Sequence, residues 1–227
     1  MQATKDYTRQ LLLDTAREAF FKKGYKAVSM REISQMSGVG LSNIYNYYEN
    51  KDSLLAEVLR PLLDAMNAIL YRHNTPEYVT IDVFTSEEIY GEWFKDTFAI
   101  VSHYREELKL LFSASHSPRF ANFTDEWIDK SSAIGMEYIR LMKEHYPQLY
   151  TNISPFYIRF ASSLWVSVMK EVVQHEELSL EDTERFIGEY IRFSTGGWEK
   201  LMYLHEKKEE LPQEVVLTSE CTNPCLV

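Results

Sequence analysis

The chain has 227 residues, a net charge of −10, and 45% apolar and 14% aromatic content, enough for one large or two modest domains with a real core. Eight glycines and seven prolines are too few for a turn-rich all-β fold and favour long helices. No run approaches the roughly 18 apolar residues of a membrane span, and the polar start MQATKDYTRQ carries no secretory signal, so a cytoplasmic location is expected.

The first helix is expected over residues 5–23, with Leu12, Ala16, Ala19 and Phe20 at helical spacing. Gly24 should end it, after Lys22 and Lys23 complement its C-terminus. Ser29-Met30-Arg31-Glu32 is an S-x-x-E capping box that opens a second helix. Ile33 and Met36 share one of its faces, and Ser37-Gly38-Val39-Gly40 turns the chain. A third helix, Leu41 to Tyr48, is short, polar and aromatic, and is too short to stand alone. It should lean on its neighbours through Ile44 and Tyr48, leaving Ser42, Asn43, Tyr45, Asn46 and Tyr47 pointing elsewhere. This is the layout of a helix-turn-helix, whose second helix enters the DNA major groove.

Asn50 caps a helix expected from Lys51 to about Arg72, with Pro61 kinking it. Residues 73–84 read as a loop containing the only possible strand. Further helices are expected from Thr85 to about His103, over 105–114, from Asn122 or Thr124 to about Glu144, from Ser154-Pro155 to about His175, and from Ser179 to about Lys207. The sequence therefore reads as all-α with about nine helices. Residues 1–50 form a three-helix helix-turn-helix head, 51–208 a helical ligand-binding and dimerisation body, and 209–227 a flexible tail. The charge divides along the same line. Residues 1–55 hold eight Lys/Arg against six Asp/Glu, or +2, and the remainder holds 16 against 28, or −12. A mildly basic head on an acidic body turns the head toward phosphate.

Phe20-Phe21-Lys22-Lys23-Gly24-Tyr25, Met30-Arg31-Glu32-Ile33-Ser34, Gly38-Val39 and above all Ile44-Tyr45-Asn46-Tyr47-Tyr48-Glu49-Asn50-Lys51-Asp52-Ser53-Leu54-Leu55 resemble the N-terminal domain of TetR-family transcriptional regulators. The resemblance covers residues 5–55 by motif and the remainder only by helix count. It implies that Ser29 and Arg31 meet phosphate or an adjacent base, that Ser42, Asn43, Tyr45 and Asn46 face the major groove, and that Tyr47 and Lys51 grip phosphate. Family members often carry Ser or Thr where Gly40 stands and Lys or Arg where Leu41 stands. Leu41 would touch a thymine methyl, and Asn43 and Asn46 are natural adenine readers, so an A/T-leaning operator is expected.

The same resemblance implies an effector pocket in the body, assigned by position to Trp93, Phe94, Phe112, Trp127, Tyr138, Met142 and Trp165. A cationic or neutral apolar ligand suits so acidic a body better than a polyanion. The last two long helices carry apolar faces, Phe160, Leu164 and Val168 on one and Phe186, Tyr190, Phe193, Gly197 and Leu201 on the other. Meeting their symmetry mates, they would form a four-helix homodimer interface, with Gly196-Gly197 admitting a close backbone. The expected partners are a palindromic double-stranded DNA operator, a small-molecule effector and a second copy, with no membrane. The expected function is a ligand-responsive regulator, a repressor released by its effector. The alternatives are an activator, or a helical small-molecule-binding protein whose head contacts another partner.

No cofactor, metal or catalytic group is read. His73, His103, His116, His145, His175 and His205 are scattered, and Cys221 and Cys225 read as free thiols on the tail. Ser113, Ser115 and His116 have no evident third partner and no nucleophile elbow, so an enzyme is not expected.

Overall fold

The computed structural model describes residues 2–203; His205, the end of the last expected helix, Cys221, Cys225 and the expected tail lie outside them. The described residues are helical throughout, with ten α-helices and no strand. They are α1 (Gln2–Ala27), α2 (Met30–Ser37), α3 (Leu41–Ile44), α4 (Lys51–Arg72), α5 (Asp82–Thr85), α6 (Glu87–His103), α7 (Arg105–Ser113), α8 (Phe123–His145), α9 (Pro155–Gln174) and α10 (Leu180–Leu201).

The additional helix lies in the stretch read as a loop. Pro76 starts a 3₁₀ turn over Pro76–Tyr78, and the Thr80 hydroxyl then accepts the Asp82 amide at 2.9 Å to open α5. Buried Val79 and Val83 hold both against the body. Gly24, non-helical with φ 74° and ψ 160°, breaks α1 where expected, and a short helical stretch follows to Ala27. The caps expected at Ser29, Asn50, Ser154 and Ser179 all form, whereas α6 is capped by Ser86 instead of Thr85. α4 runs unbroken through Pro61, whose ring stands exposed.

One apolar cluster fills the head and continues into the body. Leu12, Phe20, Ile33, Ile44 and Leu54 belong to the same buried group as Leu62, Leu108, Met169 and Ile187. Two polar ties reinforce the junction. Arg17 of α1 pairs with Glu107, a buried carboxylate on α7. Ser117, fully buried in the α7–α8 loop, donates to Asp52 Oδ1 at 2.5 Å, and the same oxygen accepts the Tyr25 hydroxyl at 2.7 Å.

Candidate nucleic-acid interface and ligand cavity

The exposed face of the head is built outward from its turn. Ser29 Oγ accepts the Glu32 amide at 3.2 Å and caps α2. The bond to Lys23 holds the Glu32 carboxylate below its usual range, with the Ser29 amide adding to the effect, so α2 is tied to the end of α1. Gly38 takes the left-handed φ of 71° and sends its amide to the Ser34 carbonyl at 3.0 Å, a conformation glycine adopts without a Cβ penalty. Two serines then staple the turn: Ser34 Oγ donates to the Val39 carbonyl at 2.7 Å, and Ser37 Oγ accepts the Val39 amide at 3.2 Å.

α3 is shorter than expected. After Ile44 the chain tightens, the Asn46 and Tyr47 amides bonding three residues back to Asn43 and Ile44. Gly40 contributes no side-chain cap, and the element is held by Ile44 and Tyr48, both buried. Of the residues assigned to DNA, Ser29, Arg31, Ser42, Asn43, Tyr45 and Asn46 are exposed. Asn46 Nδ2 donates to Asn43 Oδ1 at 3.3 Å, a solvent-exposed bond that an incoming base edge can replace.

The other three assigned residues are half-buried. Leu41 and Tyr47 pack against the head core, because the turn and the buried Tyr48 draw them inward. Lys51, expected to grip phosphate, is engaged within the head. Its ammonium donates to the carbonyls of Tyr25 and Val28, both at 2.8 Å, and lies 3.9 Å over the Tyr25 ring. Two of its three protons are thus committed within the head, and burial lowers its pKa. Its first role is to hold the end of α1 and the α1–α2 link against α4.

In the body, α4, α6, α8, α9 and α10 surround a cavity of about 350 Å³, at the low end of the usual 300–1,000 Å³ for ligand sites. Trp93, Trp127, Tyr138 and Trp165 line it, as the sequence predicts. Phe94, Phe112 and Met142 do not. Phe94 stacks on Phe98 at 5.9 Å and closes over Gly188, Phe112 lies under the Lys170 ammonium, and Met142 is fully buried. His73, Tyr190, Trp198 and Thr195 are lining residues that sequence reasoning missed. Their spacing marks them only as apolar-face or capping positions, so no local signal separates them from core.

His73 sits at the C-cap of α4, stacked on Trp93 at 5.0 Å, with Nε2 3.2 Å from Asp96. Burial lowers its pKa, against the opposing pull of Asp96. Burial also raises the phenols, Tyr138 strongly and Tyr190 to about 12. For Tyr25, burial and then its bond to Asp52 give about 12. These phenols ionise more readily in the unfolded chain, near pH 10, so the folded state holds the extra protons above that pH. Their stabilisation is present below pH 10 and lost toward pH 12. Urea melts across this range should show stability falling with pH, and Tyr25→Phe should flatten the fall.

The apolar faces assigned to a dimer also divide. Phe160 and Phe193 are exposed, and Gly197 is open, with nothing within 4 Å of a Cβ built there. Val168 is buried, Leu164 and Tyr190 line the cavity together with Phe193 and Gly197 themselves, and Phe186 and Leu201 pack half-buried in the core. Residues four apart advance about 40° past a full turn, so a row beginning at exposed Phe160 rotates into the core by Val168. Phe156, at 81% exposure, is a further exposed aromatic of α9 beside Phe160 in sequence.

Among the described residues no cluster of His, Cys, Asp or Glu fits a metal, and no helix is long and apolar enough to cross a membrane. Ser113 Oγ donates to the Leu110 carbonyl of its own helix, Ser115 lies 3.4 Å from His116 Nδ1 on the surface, and Ser117 is tied to Asp52.

Residues 12–58 match the family of bacterial regulatory proteins designated tetR. The chain is 34% identical over 58 residues to the uncharacterized HTH-type transcriptional regulator YhgD of Bacillus subtilis, covering 26% of this chain and 30% of that protein. It is 33% identical over 60 residues to the HTH-type transcriptional repressor KstR2 of Rhodococcus jostii, covering 26% and 29%. The chain thus spans about 30% of the length of these curated relatives. A solved TetR-family regulator from Syntrophomonas wolfei superposes with a TM-score of 0.58 at 17% identity, over 85% of this chain and 97% of that one. The transcriptional regulator KstR2 of Mycobacterium tuberculosis superposes with 0.52 at 16% identity, over 83% and 93%. Residues 12–58 thus carry the tetR-family match, and the described residues share the helical fold of these solved regulators.

Proposed function

We propose that the protein is a homodimeric, cytoplasmic transcriptional repressor that binds a palindromic operator and leaves it when a small, mostly apolar effector enters the body cavity. The observation that carries this reading is the exposed row Ser42, Asn43, Tyr45 and Asn46, on an element anchored by Ile44 and Tyr48 beside a stapled turn. Arg31, exposed beside it, adds a cation. Asn43 and Asn46 favour adenine, hence an A/T-leaning site. A second copy seated on the exposed aromatics of α9 and α10, Phe156, Phe160 and Phe193, would hold two heads at a fixed spacing.

α4 supplies the coupling. Its C-terminal half lines the cavity through Met66, Ile69, Leu70 and His73, and its first turn holds the head through Lys51 and Asp52. Its 22 residues span about 33 Å. A ligand moves this helix only in so far as it binds the two states differently.

Fluorescence anisotropy with DNA selected from a random pool, repeated across a salt series, tests the reading. Asn43→Ala should weaken binding by about 1–3 kcal/mol and relax preference at one base position, with the salt slope unchanged. Absence of any sequence preference would refute the proposal. Light scattering that finds only monomer would refute its dimeric part.

A further inference from the structure

The chain has four tryptophans, each on a different helix: Trp93 on α6, Trp127 on α8, Trp165 on α9 and Trp198 on α10. All four line the one cavity. A tryptophan in a helical body usually closes against its neighbours as plain core. Here Trp93, Trp165 and Trp198 remain only half-buried. Two near-parallel stacks stand in the wall, Trp93 on His73 at 5.0 Å and 18°, and Trp127 on Trp165 at 6.2 Å and 28°. Flat ring faces of this kind favour a flat guest.

The wall carries no Asp, Glu, Lys or Arg. Burial favours neutral His73 and keeps Tyr138 and Tyr190 protonated. A charged ligand would lose its hydration with no counter-charge to replace it. A cation would also find the Trp127 ring taken, since the Lys130 ammonium already lies 5.6 Å over it. Trp93, a wall residue, has its Nε1 buried without a hydrogen-bond partner in the protein.

We infer that the cavity takes an uncharged molecule with a flat, ring-built apolar body and a hydrogen-bond acceptor, seated against the tryptophan faces. The inference rests on reading the cavity as the effector site, but its test needs no DNA.

Isothermal titration of the full-length protein would compare 2-acetylnaphthalene with 2-naphthoate, 2-naphthyltrimethylammonium and the compact ketone 2-adamantanone. The naphthyl ketone should bind and quench the tryptophan emission. The two charged probes should bind roughly 30-fold more weakly or worse, and adamantanone should also bind more weakly. Ala161→Phe, which places a ring where Ala161 lines the cavity, should abolish ketone binding while circular dichroism stays native. The selectivity is read on the unaltered protein, so it stands even if that variant does not fold. Equal binding of either charged probe, or no binding of the ketone, would overturn the inference. Ketone binding that leaves operator affinity unchanged would support the cavity's ligand class and count against the effector role alone.

Discussion

Ile44→Ala should cost about 2–5 kcal/mol of folding stability and displace the exposed row of α3. α3 has four residues, an uncapped glycine at its start and a tightened last turn, so its own hydrogen bonds cannot hold it. What holds it is the fully buried Ile44, with Tyr48 one turn later. Truncation leaves a hole under the reading face that α1 and α2, tied together by Lys23 and Glu32, cannot fully collapse into. Urea denaturation should show a lower midpoint with an unchanged slope. Ser42→Ala, on the exposed side of the same element, should leave the midpoint within about 0.5 kcal/mol. A loss below about 1 kcal/mol for Ile44→Ala would mean that α3 draws its stability from elsewhere.

Asp52→Ala is the second large expected effect. One carboxylate oxygen accepts both the Tyr25 and the Ser117 hydroxyls, so alanine leaves two donors without an acceptor, one of them fully buried. At about 1–3 kcal/mol for each orphaned group, partly relieved where water reaches Tyr25, a loss of about 2–4 kcal/mol is expected. Asp52→Asn retains the acceptor oxygen and should recover more than half of it. Because Ser117 belongs to the α7–α8 loop and Tyr25 to the end of α1, the alanine variant should also loosen the head from the body. Faster hydrogen exchange at both segments would show this. Equal losses for alanine and asparagine would point instead to the carboxylate's charge at the helix N-terminus.

The sequence was most legible where local chemistry decides the structure. The caps at Ser29, Asn50, Ser154 and Ser179 and the left-handed turn at Gly38 need only neighbouring residues, and each forms where expected. Long-range placement was less legible. Nothing near Lys51 in the chain shows that its ammonium is held by the Tyr25 and Val28 carbonyls, 26 and 23 residues away. Nothing near Ser117 shows that Asp52 is waiting for it. In the body, residue type guided better than spacing. The three tryptophans assigned to a pocket do line it, whereas Phe94, Phe112 and Met142 pack as core. The i+4 rows assigned to the dimer face mixed surface, wall and interior, because a straight helix rotates such a row out of register.

The unbroken apolar cluster from the head through α4 into the body has a consequence for cooperativity. Leu54, Leu55, Val58 and Leu59 of α4 are buried in this cluster, and α4 packs against both α1 and α7, so neither half keeps its interior when the other opens. Head and body should therefore melt as one thermodynamic unit, with calorimetric and van't Hoff enthalpies in agreement. Two resolved transitions would contradict this. A fragment cut after residue 50 would leave the anchors of α1 and α3 facing water. The element proposed to read DNA is thus a local surface of a global folding unit, and it cannot be lifted out as a module.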